Sequence, residues 1–414
     1  MQVVHERCAG LDVHKKTVVA CRIVPDGKGA WQSEIRTFKT MTRDLLQLAD
    51  WLGAAEVSHV AMESTGVYWK PVHNILEGQF EILLVNAKHI KFVPGRKTDV
   101  KDAQWIAELL QHGLLKASFI PEVEQRELRE LTRYRTHLID ERSREVNRVH
   151  KVLEDANLKL SSVATDVMGV SGREILSEII AGKDDPEALA QLAKARLRNK
   201  IAELEQALSG RIRESHRLLL KLHLEHIDDL NAKLEELEEQ IERQMRPFDQ
   251  NNLIERLDSI PGVDQKTAQV IIAELGVDMS RFRNAKAAAS WAGLVPGKNE
   301  SAGRNRSSRT NKANRYLKSA LVQAAHAAGR SKENYLSAQY RRLAARRGKK
   351  RAAVAVAHSI LVIAYHIIKH GTEYIDLGSN YFDKRKQETV QKQLIRRLEK
   401  LGLKVTVEPL IEAA

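Results

Sequence analysis

The N-terminal third of the sequence is organised around one stretch, Lys97-Thr98-Asp99-Val100-Lys101-Asp102-Ala103-Gln104-Trp105-Ile106-Ala107-Glu108-Leu109-Leu110. Thr98 is a suitable N-cap, so we predict a helix that begins at Asp99. Asp99 and Asp102 are three residues apart, and side chains at that spacing leave a helix on the same face. The apolar residues that follow keep helical spacing and can seat the helix on a core. Acids at a helix start also suit the helix dipole, so a purely structural role stays open from this stretch alone.

Two further carboxylates interrupt apolar segments upstream of this stretch. Cys8–Val13 and residues 17–24 have the pattern of a β-hairpin, and Asp12 lies in its first strand. Glu63 ends another predicted strand, residues 57–63. A carboxylate in an apolar strand is costly to bury unless it is paired or binds a metal. An outward-facing Asp12 beside the turn is the simpler alternative.

The first 115 residues alternate predicted strands and helices. The other elements predicted here are helices over 42–52 and 68–77 and a strand over 81–85. This order predicts a layered α/β domain. Acids at the ends of neighbouring strands converge at one edge of such a sheet, where ligands usually bind. We therefore expect Asp12, Glu63, Asp99 and Asp102 to meet there.

Four carboxylates at one edge of a sheet would repel one another strongly. Hard divalent cations with oxygen ligands are the usual remedy. Two Mg²⁺ ions held about 4 Å apart would clamp a phosphodiester and polarise its attacking and leaving oxygens. The acids and their placement therefore predict Mg²⁺-dependent phosphoryl transfer, with Mn²⁺ as an alternative metal.

The composition indicates the class of protein and the class of partner. The chain has 414 residues, enough for two or three domains, and is 43% hydrophobic, as in an ordinary soluble protein. Its 67 Lys and Arg against 54 Asp and Glu give a formal net charge of +13, which predicts a polyanionic partner. With two cysteines, Cys8 and Cys21, and no evident secretory leader, a reduced cytoplasmic protein is expected. The apolar run 352–368 is expected to be a buried helix rather than a membrane span.

Long, charged, helical sequence follows Pro121. A heptad-like stripe over 128–152 carries many arginines, which favours a basic arm for nucleic acid over a merely solvated face. Residues 161–210 are predicted to form a small helical insertion. A cleaner heptad over 220–241 predicts a coiled-coil hairpin or a dimer seam, and the sequence does not separate the two. Pro247 is expected to end it.

Residues 257–276 have the pattern of a helix-hairpin-helix. Pro261 and Gly262 form its hairpin, and the backbone N–H groups of Gly262 and Val263 are expected to point at a phosphate. Such hairpins contact nucleic-acid backbone without reading sequence. An ordinary tight helical turn is the alternative.

Two cationic segments follow the hairpin. Ser301 lies in a polar, glycine-bearing loop, and the cations in and after this loop that we expect to contact nucleic-acid backbone are Arg304, Arg306, Arg309, Lys312, Arg315 and Lys318. The densest basic run, 341–351, adds the predicted contact residues Arg346, Arg347, Lys349 and Lys350. A charged tail with one short helix, predicted over 389–401, ends the chain.

Three short blocks in the N-terminal third resemble those of the DEDD transposases of bacterial insertion sequences, which are relatives of the Piv DNA invertase. The blocks are Gly10-Leu11-Asp12-Val13-His14-Lys15, Met62-Glu63-Ser64-Thr65-Gly66 and Lys97-Thr98-Asp99-Val100-Lys101-Asp102-Ala103. The resemblance implies a ribonuclease-H-like fold related to the RuvC Holliday-junction resolvase. It also implies that Asp12, Glu63, Asp99 and Asp102 are the metal-binding, catalytic tetrad.

A C-terminal block resembles the part of the same family that carries a catalytic serine. It comprises residues 293–296, 301–303 and 314–317, and by position Ser301 corresponds to that serine. The family commonly has Ser-Ser-Gly-Gly where this chain has Glu300-Ser301-Ala302-Gly303, so Ser307 and Ser308 are kept as fallback nucleophiles. The resemblance implies that Ser301 attacks DNA and forms a covalent phosphoserine link. It further implies a structured RNA, from the element's non-coding end, that pairs with donor and target DNA.

Together these observations predict a DNA transposase or recombinase that acts in the bacterial cytoplasm, at the nucleoid and without a membrane. The domains expected are an α/β RuvC-like domain over 1–118, a helical coiled-coil region over 119–250, a mainly helical transposase domain over 251–370 and a charged tail over 371–414. Roughly 200 residues separate Asp102 from Ser301, so we expect a dimer or tetramer that brings both together. A hydrolytic RuvC-like nuclease or junction resolvase that uses only the tetrad, and a non-catalytic nucleic-acid-binding scaffold, are the alternatives.

Overall fold

The chain folds into two compact units, Met1–Pro121 and Glu122–Ala414. The computed structural model describes residues 2–26, 30–64, 66–86, 102–297, 300–301, 304–305, 309–310, 313–385 and 387–406. The first unit is α/β and the second is mainly helical, which confirms the predicted class of each. The four-part division of the chain stays a prediction.

A five-stranded mixed sheet is the centre of the first unit. In chain order its strands are β1 (Cys8–Val13), β2 (Thr17–Pro25), β3 (Trp31–Lys39), β4 (His59–Glu63) and β5 (Glu81–Val85). Their order across the sheet is β3-β2-β1-β4-β5. β1 to β3 pair antiparallel, whereas β4 and β5 run parallel to β1. The predicted hairpin and the strands β4 and β5 are confirmed, and β3 was not predicted.

Helices cover both faces of this sheet. On one face, α1 (Thr42–Gly53) and α2 (Trp69–Leu76) form an apolar core with β1, β2 and β4. On the other face, α3 (Asp102–Gln111) packs on the cysteines of β1 and β2. The start predicted for α3, with Thr98 and Asp99, lies outside the described residues. Burial of both faces matches the nearly continuous apolar sequence of β1.

Two long helices form the middle of the chain. In α4 (Val123–Asp155) and α9 (Glu214–Met245), Arg135 contacts Glu238 near one end and Asp155 contacts His216 at the other, so the helices run antiparallel. The heptad side chains buried between elements of this same chain are Leu220, Ile227, Leu230, Leu237 and Ile241. The heptad therefore forms an intramolecular hairpin, and these five side chains are not left for a dimer seam.

The segment between the two long helices is the small helical insertion that the sequence predicts. Its elements are α5 (Leu160–Val163), α6 (Val170–Ile180), α7 (Pro186–Ala190), the 3₁₀ segment Ala195–Lys200 and α8 (Ile201–Leu208). They share an apolar core with the adjoining ends of α4 and α9.

The rest of the second unit is a helical bundle with one short β-ribbon. Its elements are α10 (Leu253–Asp258), α11 (Gln265–Leu275), the 3₁₀ turn Met279–Arg281, α12 (Ala285–Trp291), β6 (Glu300–Ser301), β7 (Arg304–Asn305), α13 (Arg315–Arg330), α14 (Tyr335–Arg347), α15 (Lys349–His370), α16 (Tyr381–Arg385) and α17 (Gln387–Glu399). α15 is long and apolar enough to cross a membrane, but Val356, Ile360 and Ala364 are fully buried in the bundle core. The prediction of a buried helix is therefore confirmed.

Candidate functional site

Asp12 and Glu63 occupy neighbouring positions where β1 and β4 end. The parallel register pairs Leu11 with Met62, so the next residues along the two strands are Asp12 and Glu63. Side chains alternate along a strand, and Cys8, four residues before Asp12, packs on the α3 side of the sheet. Asp12 therefore faces that side, as does Glu63, which lies two residues after Ala61 in the same cluster.

The start of α3 lies at the same end of the sheet. The Cys8 thiol lies 3.7 Å from the Ala107 carbonyl oxygen, and the N–H of Val4 donates to the Gln111 carbonyl at 2.8 Å. Gln111, at the end of α3, thus contacts Val4, before β1, and Ala107, earlier in α3, contacts Cys8, the first residue of β1, so the helix runs antiparallel to that strand. Its first described residue, Asp102, is consequently at the end where Asp12 is found.

Gly10 allows α3 to lie this close to β1. A Cβ atom at Gly10 would be 2.3 Å from both the Ala103 carbonyl oxygen and the Ala107 backbone nitrogen. Real Cβ atoms do not approach backbone so closely, so only glycine fits under the helix. Gly10 therefore sets the distance between the acid of α3 and the acids of the sheet.

The side-chain geometry at this edge is only partly defined. Asp12 Oδ2 lies 3.2 Å from His14 Nε2, and the Asp12 side chain is 22% exposed. Among the described residues, no three His, Cys, Asp or Glu side chains converge closely enough to hold a metal ion. Asp99, the fourth acid of the predicted tetrad, lies outside the described residues. The structure brings the positions of Asp12, Glu63 and Asp102 to one edge, and their role as metal ligands stays a prediction.

Ser301 lies on a short β-ribbon in the second unit. It ends β6 and pairs with Arg304 of β7, and Glu300 pairs with Asn305. Pro296 pairs with Thr310 at the base of the ribbon, and the N–H of Gly297 donates to the Arg309 carbonyl at 3.0 Å. The predicted residues Arg306, Ser307, Ser308 and Lys312 lie outside the described residues. Among the described residues, these backbone pairs hold Glu300 and Ser301 against Asn305 and Arg304.

Side-chain hydrogen bonds attach the end of this ribbon to the helices. Lys318 Nζ donates to Thr310 Oγ1 at 2.5 Å. Asn314 caps α13, because its Oδ1 accepts from the N–H groups of Tyr316 and Leu317 at 3.1 Å. The Asn314 amide also donates to Glu274 Oε2 at 2.6 Å, which ties the start of α13 to α11.

Glu274 is a buried carboxylate that the sequence analysis did not single out. Its side chain is fully buried and accepts two hydrogen bonds from Arg133, at 2.7 and 2.8 Å. Arg129 Nε lies 3.6 Å away, and burial lowers the pKa of Arg129 to about 10 although Glu274 opposes that shift. Both arginines stay charged at neutral pH and balance the carboxylate. The sequence does contain a sign of this buried acid, because Glu274 is the single charged residue in the apolar run 270–275.

The predicted turn between α10 and α11 is confirmed, but the expected role of one of its backbone N–H groups is not. Gly262 has φ +87°, and a Cβ there would be 2.3 Å from the Ala324 carbonyl oxygen of α13, so the turn packs directly on that helix. The N–H of Val263, which we expected to face a phosphate, donates to the Ile260 carbonyl at 2.9 Å. That donor is used inside the turn, so the phosphate contact stays a prediction for Gly262 alone.

The densest cationic run forms an exposed corner between α14 and α15. Its exposed side chains are Arg346, Arg347, Lys349, Lys350 and Arg351. Gly348, with φ +82°, turns the chain between the two helices. Cations in the first turn of a helix oppose its dipole by roughly 0.3–1 kcal/mol each. Lys349, Lys350 and Arg351 bear that cost at the start of α15, whereas the dipole favours Arg346 and Arg347 in the last turn of α14. The five clustered cations suit a polyanion.

Comparisons with known proteins place both parts of the chain in transposase families. A family model described as "Transposase", of the DEDD type found in IS110 elements, matches residues 9–158. A second model, "Transposase IS116/IS110/IS902 family", matches residues 254–341. The first match includes all four predicted acids, and the second includes the β-ribbon with Ser301.

Two curated proteins are similar over most of the chain. One is described as a probable family 20 transposase from Pseudomonas aeruginosa; it is 26% identical over 322 residues, which are 76% of this chain and 85% of the relative. The other is the transposase for insertion sequence element IS1111A from Coxiella burnetii, 24% identical over 370 residues, which are 88% of this chain and 90% of the relative.

Proposed function

Because this chain is a transposase of the IS110 family, and hence a DNA strand-transfer enzyme, we propose that it cuts and rejoins insertion-sequence DNA through Ser301 with the help of a divalent metal. The observation that carries the proposal is the presence of both matches in one chain. A nuclease that needs only carboxylates would have no use for the serine-bearing segment.

The first unit supplies the proposed metal site. Its strand order, with three antiparallel strands followed by two parallel to the first, supports a ribonuclease-H-like, RuvC-like fold. Asp12, Glu63 and Asp102 lie at one edge, and Asp99 precedes Asp102 by three residues. Hard carboxylate oxygens are the ligands that suit Mg²⁺ or Mn²⁺. A bound divalent ion would supply charge neutralisation at the reacting phosphodiester.

Ser301 is the proposed nucleophile. Its Oγ attacks the phosphorus, a phosphoserine ester forms, and the bond from phosphorus to one deoxyribose oxygen breaks. The serine proton is lost to a base and the released DNA oxygen gains a proton. Attack by a hydroxyl of a second DNA end reverses these changes, so strands are exchanged with no net loss of phosphodiester bonds.

The cationic surfaces are proposed to hold nucleic acid. The exposed corner at 346–351 and the exposed Arg315 suit the phosphate backbone of donor and target DNA. A structured guide RNA is the proposed source of sequence recognition, because backbone contacts read little sequence. We also propose a dimer or tetramer in which the acids of one subunit act with Ser301 of another.

A cleavage assay separates this proposal from the nuclease alternative. The wild-type protein, Ser301→Ala and Asp12→Asn are each incubated with element-end DNA, guide RNA and Mg²⁺. We expect both variants to lose strand exchange. Unchanged cleavage by Ser301→Ala would support a nuclease that uses the tetrad alone, and normal recombination by Asp12→Asn would support a non-catalytic scaffold.

A mixing experiment tests the proposed sharing between subunits. Ser301→Ala and Asp12→Asn are inactive alone but retain complementary halves of the site. We expect the mixture to recover part of the strand exchange. Complete inactivity of the mixture, with hetero-oligomers present, would show that the two halves act within one subunit.

A further inference from the structure

A cavity of about 570 Å³ lies between α4, α12 and α13, where α13 begins immediately after the ribbon segment. It is lined by Arg133, Ser290, Trp291, Asn314, Arg315 and Tyr316. We propose that this cavity binds one nucleotide of the DNA strand, with its phosphate on Arg133 and Arg315 and its base on the aromatic wall. The inference rests on the proposed function and names a substrate contact for it.

The charge of the cavity favours a phosphate. Arg133 and Arg315 line it, and the carboxylate of Glu274 is hydrogen-bonded to Arg133 and lies 3.6 Å from Arg129 Nε. Two guanidinium groups, those of Arg129 and Arg133, share this carboxylate, Arg315 adds a third cation, and Glu130 is a further negative neighbour of Arg133. A phosphodiester carries one negative charge, so the cavity keeps its attraction for DNA after Glu274 is accounted for.

Arg133 is held in place before any ligand arrives. Glu274 accepts from its Nε and Nη2 in a two-point contact, and the carboxylate itself is fully buried. The opposite edge of the guanidinium carries Nη1, and the Arg133 side chain is 36% exposed. A guanidinium fixed on one edge loses little conformational freedom when a phosphate binds the other.

Tyr316 forms the aromatic wall next to this phosphate position. The guanidinium carbons of Arg133 and Arg315 lie 4.9 and 4.8 Å from the centre of its ring. Its Oη accepts from Arg315 Nη2 at 2.8 Å and lies 2.8 Å from His137 Nε2. Trp291 supplies a second aromatic surface, and bases stack on such rings with little sequence preference.

The cavity is linked to the ribbon through Asn314. This residue lines the cavity, caps α13 and bonds Glu274, which in turn fixes Arg133. A nucleotide bound here would therefore lie against the same residues that anchor the segment after Ser301. The cavity would position the strand for the serine, without touching the reacting atoms.

The test is binding of labelled single strands to the full-length protein, followed by fluorescence anisotropy over a range of salt concentrations. The probes are a mixed-sequence 20-nucleotide DNA and the RNA of the same sequence. The variants are Arg315→Gln and Arg315→Lys, and the matched control is Arg330→Gln, an exposed arginine at the other end of α13.

We expect Arg315→Gln to weaken DNA binding about tenfold and to lower the salt slope by about 0.7, the value for one lost phosphate contact on a single strand. Arg315→Lys should recover most of the affinity, and Arg330→Gln should bind as the wild type does. Equal binding by Arg315→Gln and Arg330→Gln would overturn the proposal. A loss confined to the RNA probe would also overturn it and assign the cavity to RNA.

Adduct formation separates this inference from the proposed function. Arg315→Gln should form the serine adduct at high DNA concentration, because a binding defect is overcome by excess substrate. Normal DNA binding by Arg315→Gln, with adduct formation intact, would refute nucleotide binding in the cavity but leave the serine mechanism standing. If Arg315→Gln binds DNA weakly but the wild-type protein forms no adduct, the serine mechanism would be refuted and nucleotide binding in the cavity would stand.

Discussion

The acidic edge of the first unit and the serine ribbon of the second are positioned by different physical means. Backbone ladders and the close packing of α3 over Gly10 position Asp12, Glu63 and Asp102. The ribbon has strands of only two residues, and its following segment is held by side-chain hydrogen bonds to Lys318, Asn314 and Glu274. The acidic edge should therefore be sensitive to added volume, whereas the ribbon should be sensitive to lost polar partners.

The largest loss of stability is expected from the buried carboxylate beneath the ribbon. Glu274→Ala leaves Arg129 and Arg133 without their counter-charge in a buried site, so the free energy of unfolding of the second unit should fall by about 4 kcal/mol. Urea denaturation measures the change. Glu239→Ala, at an exposed position on α9, is the control and should change stability by less than about 0.5 kcal/mol. A similar small change for Glu274→Ala would refute the role of this network.

A smaller loss is expected from added volume at the acidic edge. Gly10→Ala places a methyl group against the backbone of α3, so the first unit should lose about 3 kcal/mol and its acids should move apart. Gly53→Ala is the matched control, since a Cβ there meets nothing within 4 Å. Circular dichroism during urea denaturation compares the two variants. Equal stability of both would mean that α3 does not lie where the structure has it.

Thiol labelling of the two cysteines measures opening of the first unit, independently of the second unit, which has no cysteine. Both are buried, and burial raises the pKa of Cys8 to about 12 and that of Cys21 to about 11. The reactive thiolate is scarce below those values, so both should react slowly with a thiol reagent at pH 8. We expect Gly10→Ala to speed this labelling and Glu274→Ala to leave it unchanged. Faster labelling in Glu274→Ala would show that the two units do not open independently.

The smallest change in stability is expected at the helix cap that follows the ribbon. Asn314→Ala should cost about 1 kcal/mol, as a lost N-cap does, but it should also reduce adduct formation because the ribbon loses its link to Glu274. Asn334→Ala removes the N-cap of α14 at a similar cost and serves as the control. Thermal denaturation and a gel for covalent adducts measure the two effects. Equal adduct yields from both variants would contradict the anchoring role of Asn314.

The parts of the fold with a strong local pattern were predictable from sequence. The apolar residues of β1 and the β-branched residues of β2 flank a polar turn, and the heptad of α9 marks one face of a long helix. β3 was missed because it is an edge strand in which seven of nine residues are exposed, so it lacks an apolar pattern. The heptad of α9 packs on α4 of the same chain. Heptad spacing alone does not identify the partner helix, so the sequence could not distinguish this hairpin from a dimer.

The candidate site was predictable in its acids and serine but not in the network around them. Glu274 contacts Arg133 across 141 residues of sequence, and no local pattern encodes such a pair. The Val263 N–H was assigned to a phosphate because the hairpin pattern shows which N–H groups lie near the turn. The pattern does not show that the Ile260 carbonyl accepts a hydrogen bond from the Val263 N–H.

The central claim is that Ser301 attacks DNA with the help of the acidic edge, and mass spectrometry of the protein–DNA adduct tests it most directly. Trypsin cuts after Lys298, Arg304, Arg306 and Arg309, so it separates Ser301 from Ser307 and Ser308. The account predicts a nucleotide on the peptide 299–304, formed with Mg²⁺ by the wild type and absent from Asp12→Asn. A nucleotide on the peptide 307–309, or an undiminished adduct in Asp12→Asn, would contradict it.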